Sequence, residues 1–367
     1  MKSSPLQSIH ESLGAHFDTV GDWSVPSHYG DPIAEHHAVR KTAGIADLSY
    51  RGKLLVTGDD RVTWLQSIIS HDLRPLQPGQ GLYSAFMSAK GKILSCFRVY
   101  IQQDSVFVED VGEVGDTTFQ AFRKFLLYGT KAKMKSCLDT WGLILVSGPQ
   151  AAKVLSDTFH VEVGQLPMLS CVTLDMNGQP AFIVRTEETG EQDFEIFAPT
   201  DLIATVWEQV LTAGKPLGLQ PFGTQARESL RVEAGIPKLG PDLNEQIVPP
   251  EANLEGKAFS LSKGCYPGQE VVARMDTYGS VKRRLVGLIV NARDNQVPPH
   301  GAKVFRGERE VGWVSSGVLS PTLNQVIAMA FPLRDFTVPD TELEVDYNDQ
   351  RHPATVKALP FLTPTHT

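Results

Sequence analysis

Long apolar runs are missing from this 367-residue chain. None approaches the ~18 to 20 residues that cross a bilayer, and the longest, such as Leu143-Ile144-Leu145-Val146, have the length of a strand. Cysteine is scarce as well. The four, Cys96, Cys137, Cys171 and Cys265, stand too far apart for a CxxC-type ligand pair. That spacing speaks against a structural zinc or a permanently held iron-sulfur cluster and supports no disulfide framework. The N-terminus lacks an apolar signal core, and Glu11 and Asp18 with no early arginine argue against a transit peptide, so a cytoplasmic protein is expected. A net charge of -8 gives no general attraction to nucleic acid or anionic membrane. The clusters Lys131-Ala132-Lys133-Met134-Lys135 and Lys282-Arg283-Arg284 read as solvated surface. We therefore expect no nucleic-acid or membrane partner, no bound metal, and a monomer.

What is present is globular. At 41% hydrophobic and 21% charged residues, the chain is long enough for two or three domains with their own cores. A strand at 54–56, a helix at 62–69 with Asp59 or Asp60 as N-cap, paired strands at 83–88 and 93–101, a strand at 106–108 and a helix at 118–127 fill the first part. The order partly recurs with a strand at 143–146, a helix after Gly148-Pro149, strands near 172–175, 181–185 and 194–197, and a helix at 200–211. Beyond 281, six short alternating segments separated by Gly, Pro and Asn predict a small β-barrel. The fold class is α+β, with domains expected at 1–140, 141–280 and 281–367.

Two stretches carry chemistry. In Lys263-Gly264-Cys265-Tyr266-Pro267-Gly268-Gln269-Glu270, an extended backbone would point Lys263 and Cys265 the same way, and an ammonium beside a thiol favours the thiolate. Pro267-Gly268 suits the centre of a type II turn. A small buried filler is the alternative for Cys265. The helix predicted at 222–235, ended by a glycine, sets Arg227 and Arg231 at i, i+4, where they would bind an anion or pair with Glu228 and Glu233.

Gly44-Ile45-Ala46-Asp47-Leu48-Ser49, the hairpin at 83–96, the stretches 189–196 and 227–235, Gly240-Pro241-Asp242-Leu243 and the cysteine motif together resemble the folate-binding superfamily of the glycine-cleavage T-protein. Within it, the cysteine motif is similar to the signature of the YgfZ branch. The resemblance implies two interleaved ferredoxin-like α+β domains holding tetrahydrofolate or another reduced folate, closed by the barrel. It implies Glu195 as the carboxylate that accepts from the pterin edge, with Arg227 beside it; Arg231, on the same helix face as Arg227, is expected in the same binding set. Tyr83 is a wall for the flat ring or a core residue. T-proteins that transfer an aminomethyl group carry two acids where this chain has Ser95-Cys96; Asp110, one strand later, is a possible substitute. The expectation that follows is a folate-binding accessory protein rather than a conventional enzyme. It would support iron-sulfur cluster assembly or repair in client or assembly proteins through a Cys265 thiolate activated by Lys263. The alternatives are a folate-dependent aminomethyltransferase or demethylase of T-protein type, and a non-catalytic folate-binding module.

Overall fold

The computed structural model describes residues 1–112, 115–176, 178–278 and 281–363, with 276–278 by backbone only. A small sheet opens the chain, with β1 (Lys2–Ser3) and β2 (His16–Val20) flanking β3 (Trp23–His28), and α1 (Gln7–Ser12) between the first two. Helix α2 (Pro32–Lys41) leads into β4 (Ala43–Asp47). The first large sheet has five strands in the order β6-β7-β8-β5-β9, formed by β5 (Lys53–Thr57), β6 (Gly81–Met87), β7 (Ile93–Ile101), β8 (Ser105–Asp110) and β9 (Lys133–Ser136). Helices α3 (Arg61–Ile68) and α4 (Thr117–Arg123) cover its outer face, where Trp64, Leu65 and Phe122 pack on Phe97, Val99 and Val108.

The second large sheet runs β11-β12-β13-β10-β4-β14. Its members are β10 (Trp141–Ser147), β11 (Cys171–Met176), β12 (Gln179–Thr186), β13 (Asp193–Pro199), β14 (Leu219–Pro221) and the early strand β4. The Leu143-Ile144-Leu145-Val146 run lies in β10 between β13 and β4, buried on both faces, which is why it reads as continuous rather than alternating apolar sequence. Helices α5 (Ala151–Phe159) and α6 (Ile203–Gly214) cover the outer face through Val154, Leu155, Val206 and Trp207. The inner faces of the two sheets meet through Tyr100 and Phe107 on one side and Phe182, Phe197, Leu143 and Leu145 on the other. The expected α+β class with interleaved halves is what the chain forms, since β4 lies within 1–140 yet pairs in the second sheet.

The last unit is the expected barrel, closed in the order β15-β18-β17-β16-β19-β20 by β15 (Val286–Val290), β16 (Lys303–Arg306), β17 (Arg309–Ser320), β18 (Gln325–Ala330), β19 (Glu342–Tyr347) and β20 (Gln350–Lys357). No helix among the described residues is long and apolar enough to cross a membrane. Helix α8 (Gln269–Tyr278) follows the cysteine motif.

Helix α7 (Thr224–Glu233) ties the barrel to the sheets. Glu233 accepts from the Ser320 and Thr322 hydroxyls of the barrel side and from Arg40 of α2. Arg231 donates to Asp242 at 2.8 Å, to the Ser316 hydroxyl at 2.8 Å, to Glu228 at 2.6 Å and to the Ile236 carbonyl at 2.6 Å. It is a structural pin: of its two expected roles, anion binding or pairing with Glu228, it takes the pairing. Arg231→Ala would leave the fully buried Asp242 carboxylate without its cation. We predict a loss of about 3 to 5 kcal/mol in unfolding free energy by urea titration.

Candidate functional site

Strand register builds the site. Tyr83 of β6 sits opposite Arg98 of β7, Arg98 opposite Glu109 of β8, and Glu109 opposite Lys53 of β5. Residues directly opposite share a face, so this row of one phenol and three charges looks toward the second sheet. From that sheet come Glu195 of β13 and Glu188 of the β12–β13 connection, and Arg51 joins them from the β4–β5 connection.

These groups form one buried network. Arg98 donates to Glu195 at 2.7 Å, Glu188 at 2.6 Å, Glu109 at 3.3 Å and the Glu187 carbonyl at 3.0 Å. Arg51 donates to Glu188 at 2.7 Å, Glu109 at 3.0 Å and Glu195 at 3.2 Å. The Tyr100 hydroxyl adds a bond to Glu109 at 3.2 Å. Burial raises the Glu195 carboxyl well above the usual range, against Arg98 and with help from Glu109 and Glu188. At Glu188 burial acts the same way, but Arg51, Arg98 and Arg227 outweigh it and hold that carboxyl well below the usual range. Lys53 donates to the Ser49 and Arg51 carbonyls, and burial lowers its ammonium to about 8.

A cavity of about 710 Å³ opens beside this network, where both sheets, the segment after α7 and the barrel meet. Tyr83 and Arg98 form its wall on the first sheet, and Leu359 and Leu362 line it from the tail that returns from the barrel to α7. That return is fixed by the Phe361 amide donating to the Glu233 carbonyl at 2.9 Å. Its lining is mostly apolar, with Lys257 paired to Glu187 at 3.8 Å. Glu195 is fully buried and is not part of the lining. Arg98 is, so the cavity reaches Arg98 at this wall and Glu195, expected to face the ligand, lies behind it.

The other expected residues fall elsewhere. Arg227 lies 5.8 Å over the Tyr50 ring, in a small cleft with Asp47 and Phe222. Lys263 and Cys265 do not converge. Gly264 has φ +94°, outside the extended region that the alternation argument assumed, so the backbone turns between them. Lys263 is buried and donates to the Gln66 and Ile69 carbonyls at the end of α3, with burial lowering it to about 8, whereas Cys265 is exposed. At Gly268, a Cβ would stand 2.6 Å from the Ser88 carbonyl, so the turn rests on the β6–β7 hairpin where only glycine fits.

Ser95 and Cys96 also separate by face. Cys96 shares the face of Tyr83 and Arg98 and touches Tyr83; burial pushes its thiol up to about 12, against that contact, so it stays neutral. Asp110, one residue beyond Glu109, faces the other way and accepts from the Thr118 amide of α4 at 3.2 Å. The expected substitute acid is therefore not brought to the cavity. Sequence reasoning missed Arg51, Arg98, Glu109 and Glu188. The signal was there for two of them: Arg98 interrupts Cys96-Phe97-Arg98-Val99-Tyr100 and Glu109 ends Val106-Phe107-Val108-Glu109, both charges inside apolar strands.

The architecture defines a class: two face-to-face sheets backed by helices, and a β-barrel, around a cavity. The GCVT N-terminal domain family matches residues 6–261, and the glycine cleavage T-protein C-terminal barrel domain family matches residues 283–362. The chain belongs to the glycine cleavage T-protein family. It is 34% identical over 367 residues to an aminomethyltransferase of Corynebacterium aurimucosum, covering 98% of this chain and 97% of that one. To an aminomethyltransferase of a Geobacillus species it is 32% identical over 363 residues, covering 98% of each. The crystal structure of glycine cleavage system aminomethyltransferase T from Bartonella henselae superposes with a TM-score of 0.88 at 26% identity, over 99% of this chain and 98% of that chain. These full-length relatives carry the name aminomethyltransferase. That overturns the expectation of an iron-sulfur assembly or repair protein and favours the alternative, a folate-dependent transferase of T-protein type.

Asp110 supplies a test of the local electrostatics. Burial raises its carboxyl to about 7, so the folded state binds this proton more tightly than the unfolded chain does. Stability is then lost as pH rises from the unfolded value through about 7. Asp110→Asn removes that slope, and we predict that between pH 5 and 8 wild type loses about 2 to 3 kcal/mol of unfolding free energy relative to the variant.

Proposed function

We propose that this chain is a tetrahydrofolate-dependent aminomethyltransferase. The observation that carries the reading is the full-length likeness to aminomethyltransferases, 34% identity across both sheets and the barrel. The cavity supports it. A mostly apolar chamber of about 710 Å³ is the size and character that a drug-sized, flat ligand fills. Tyr83 offers a ring face for stacking. The likeness to the YgfZ branch rests on the octapeptide 263–270 alone, and we infer that in this chain it fixes the hairpin and α3 rather than reacting with the ligand.

The reaction needs proton transfer at the folate nitrogens as the one-carbon unit arrives and its amine leaves. A positioned carboxylate contributes roughly 10² to 10⁴-fold to such a step. The Tyr83 and Arg98 face carries Cys96 instead, a buried thiol against Tyr83 that stays protonated at neutral pH. We infer that turnover is slow because this proton transfer is left to the substrates and solvent.

Purified protein given tetrahydrofolate and an aminomethylated carrier is expected to release ammonia. Cys96→Asp is expected to speed that release by about 10 to 100-fold, since Asp would restore an acid on the Tyr83 and Arg98 face. Failure of both proteins to turn over, together with absence of tetrahydrofolate binding by calorimetry, would reject the reading.

A further inference from the structure

Arg98 has all its terminal nitrogens committed. Nη1 serves Glu195 and Glu109, and Nη2 serves Glu188 and the Glu187 carbonyl. On Glu195, Oε1 accepts from both Arg98 and Arg51, while Oε2 is buried with no hydrogen-bond partner. The cavity reaches Arg98 and stops there.

The chemistry of this contact is specific. A guanidinium presents parallel N–H groups to a carboxylate. The 2-amino group and ring N–H of a pterin form a guanidine fragment that presents the same pair of donors. Arg98 already makes one of those two contacts from within the chain, Nη1 to Glu195 Oε1 at 2.7 Å, while its Nη2 serves Glu188. A ring could take that place only by displacing Arg98 from Glu195 and Glu188 together. That would leave buried carboxylates short of a cation, a cost larger than the hydrogen bonds gained.

Resting on the tetrahydrofolate reading, we propose that Arg98 is a specificity-determining residue that stands in for the ligand's donor edge on Glu195, so that the 2-amino group of the pterin is not read by this site. The ring is held instead by Tyr83 and the apolar lining. Glu195 acts through Arg98 and is a positioning residue. The contrast is with a site in which a free carboxylate accepts from the pterin edge, where loss of the amino group leaves a buried acceptor unpaired and is strongly penalised.

The test compares calorimetric binding of tetrahydrofolate and its 2-desamino-2-methyl analogue. Wild type is expected to bind the two within about 3-fold, whereas removal of a hydrogen bond to a charged group would cost about 10-fold or more. Arg98→Leu, which frees Glu195, is expected to gain a preference of at least about 10-fold for tetrahydrofolate, and Arg98→Lys to retain the wild-type indifference. A preference of 10-fold or more in wild type, or none in a folded Arg98→Leu, overturns the role of Arg98 alone. If Arg98→Leu does not fold, the wild-type pair decides by itself. Absence of binding by both compounds at millimolar concentration overturns the tetrahydrofolate reading and this inference with it.

Discussion

Three carboxylates and two guanidiniums, buried between two sheets, are the constraint on which the rest of this molecule depends. An ion removed from water costs several kcal/mol unless a partner of opposite charge and good geometry replaces its hydration. Arg51, Arg98, Glu109, Glu188 and Glu195 are each within 2.6 to 3.3 Å of an opposite charge, and no one sheet supplies the set. Register on the first sheet puts Arg98 next to Glu109, and only docking of the second sheet brings Glu188 and Glu195. The network therefore fixes how the sheets face each other, and its edge forms the wall of the cavity.

The barrel and α7 close the same chamber from the other side. Arg231 and Glu233 lie on one helix and bind barrel hydroxyls through charge-assisted hydrogen bonds, the stronger kind. The tail after β20 returns over Gly235, where a Cβ would stand 2.9 Å from Leu359. Cavity shape thus follows from ion pairs some way from the cavity, and the two arginines at i, i+4 on α7 divide: Arg227 over the Tyr50 ring, Arg231 toward the barrel.

Much of this was legible in sequence, and what was not has physical causes. The short alternating segments of the barrel and the continuous apolar run of β10 carry local patterns, and those elements formed where the patterns stood. The strand β4 was missed because its place is decided by pairing with β10 and β14, far away in sequence. The helix expected to reach 127 ends at Arg123, short of exposed Leu127 and Tyr128. The cysteine motif misled in two ways. Gly264 breaks the alternation that would place Lys263 beside Cys265, and the octapeptide is eight residues against a likeness that runs the length of the chain. Arg98 needed the opposite correction, because a charge inside an apolar strand is a stronger signal of a buried network than any helical arginine pair.

The buried ion network holds the two sheets together and thereby shapes the site. A double-mutant cycle on Arg51, in the segment that joins the two sheets, and Glu188 of the second sheet, 2.7 Å apart, tests this most directly. Urea unfolding of wild type, Arg51→Met, Glu188→Gln and the double variant should give a coupling energy of at least ~1.5 kcal/mol. Additivity within ~0.5 kcal/mol would contradict the account.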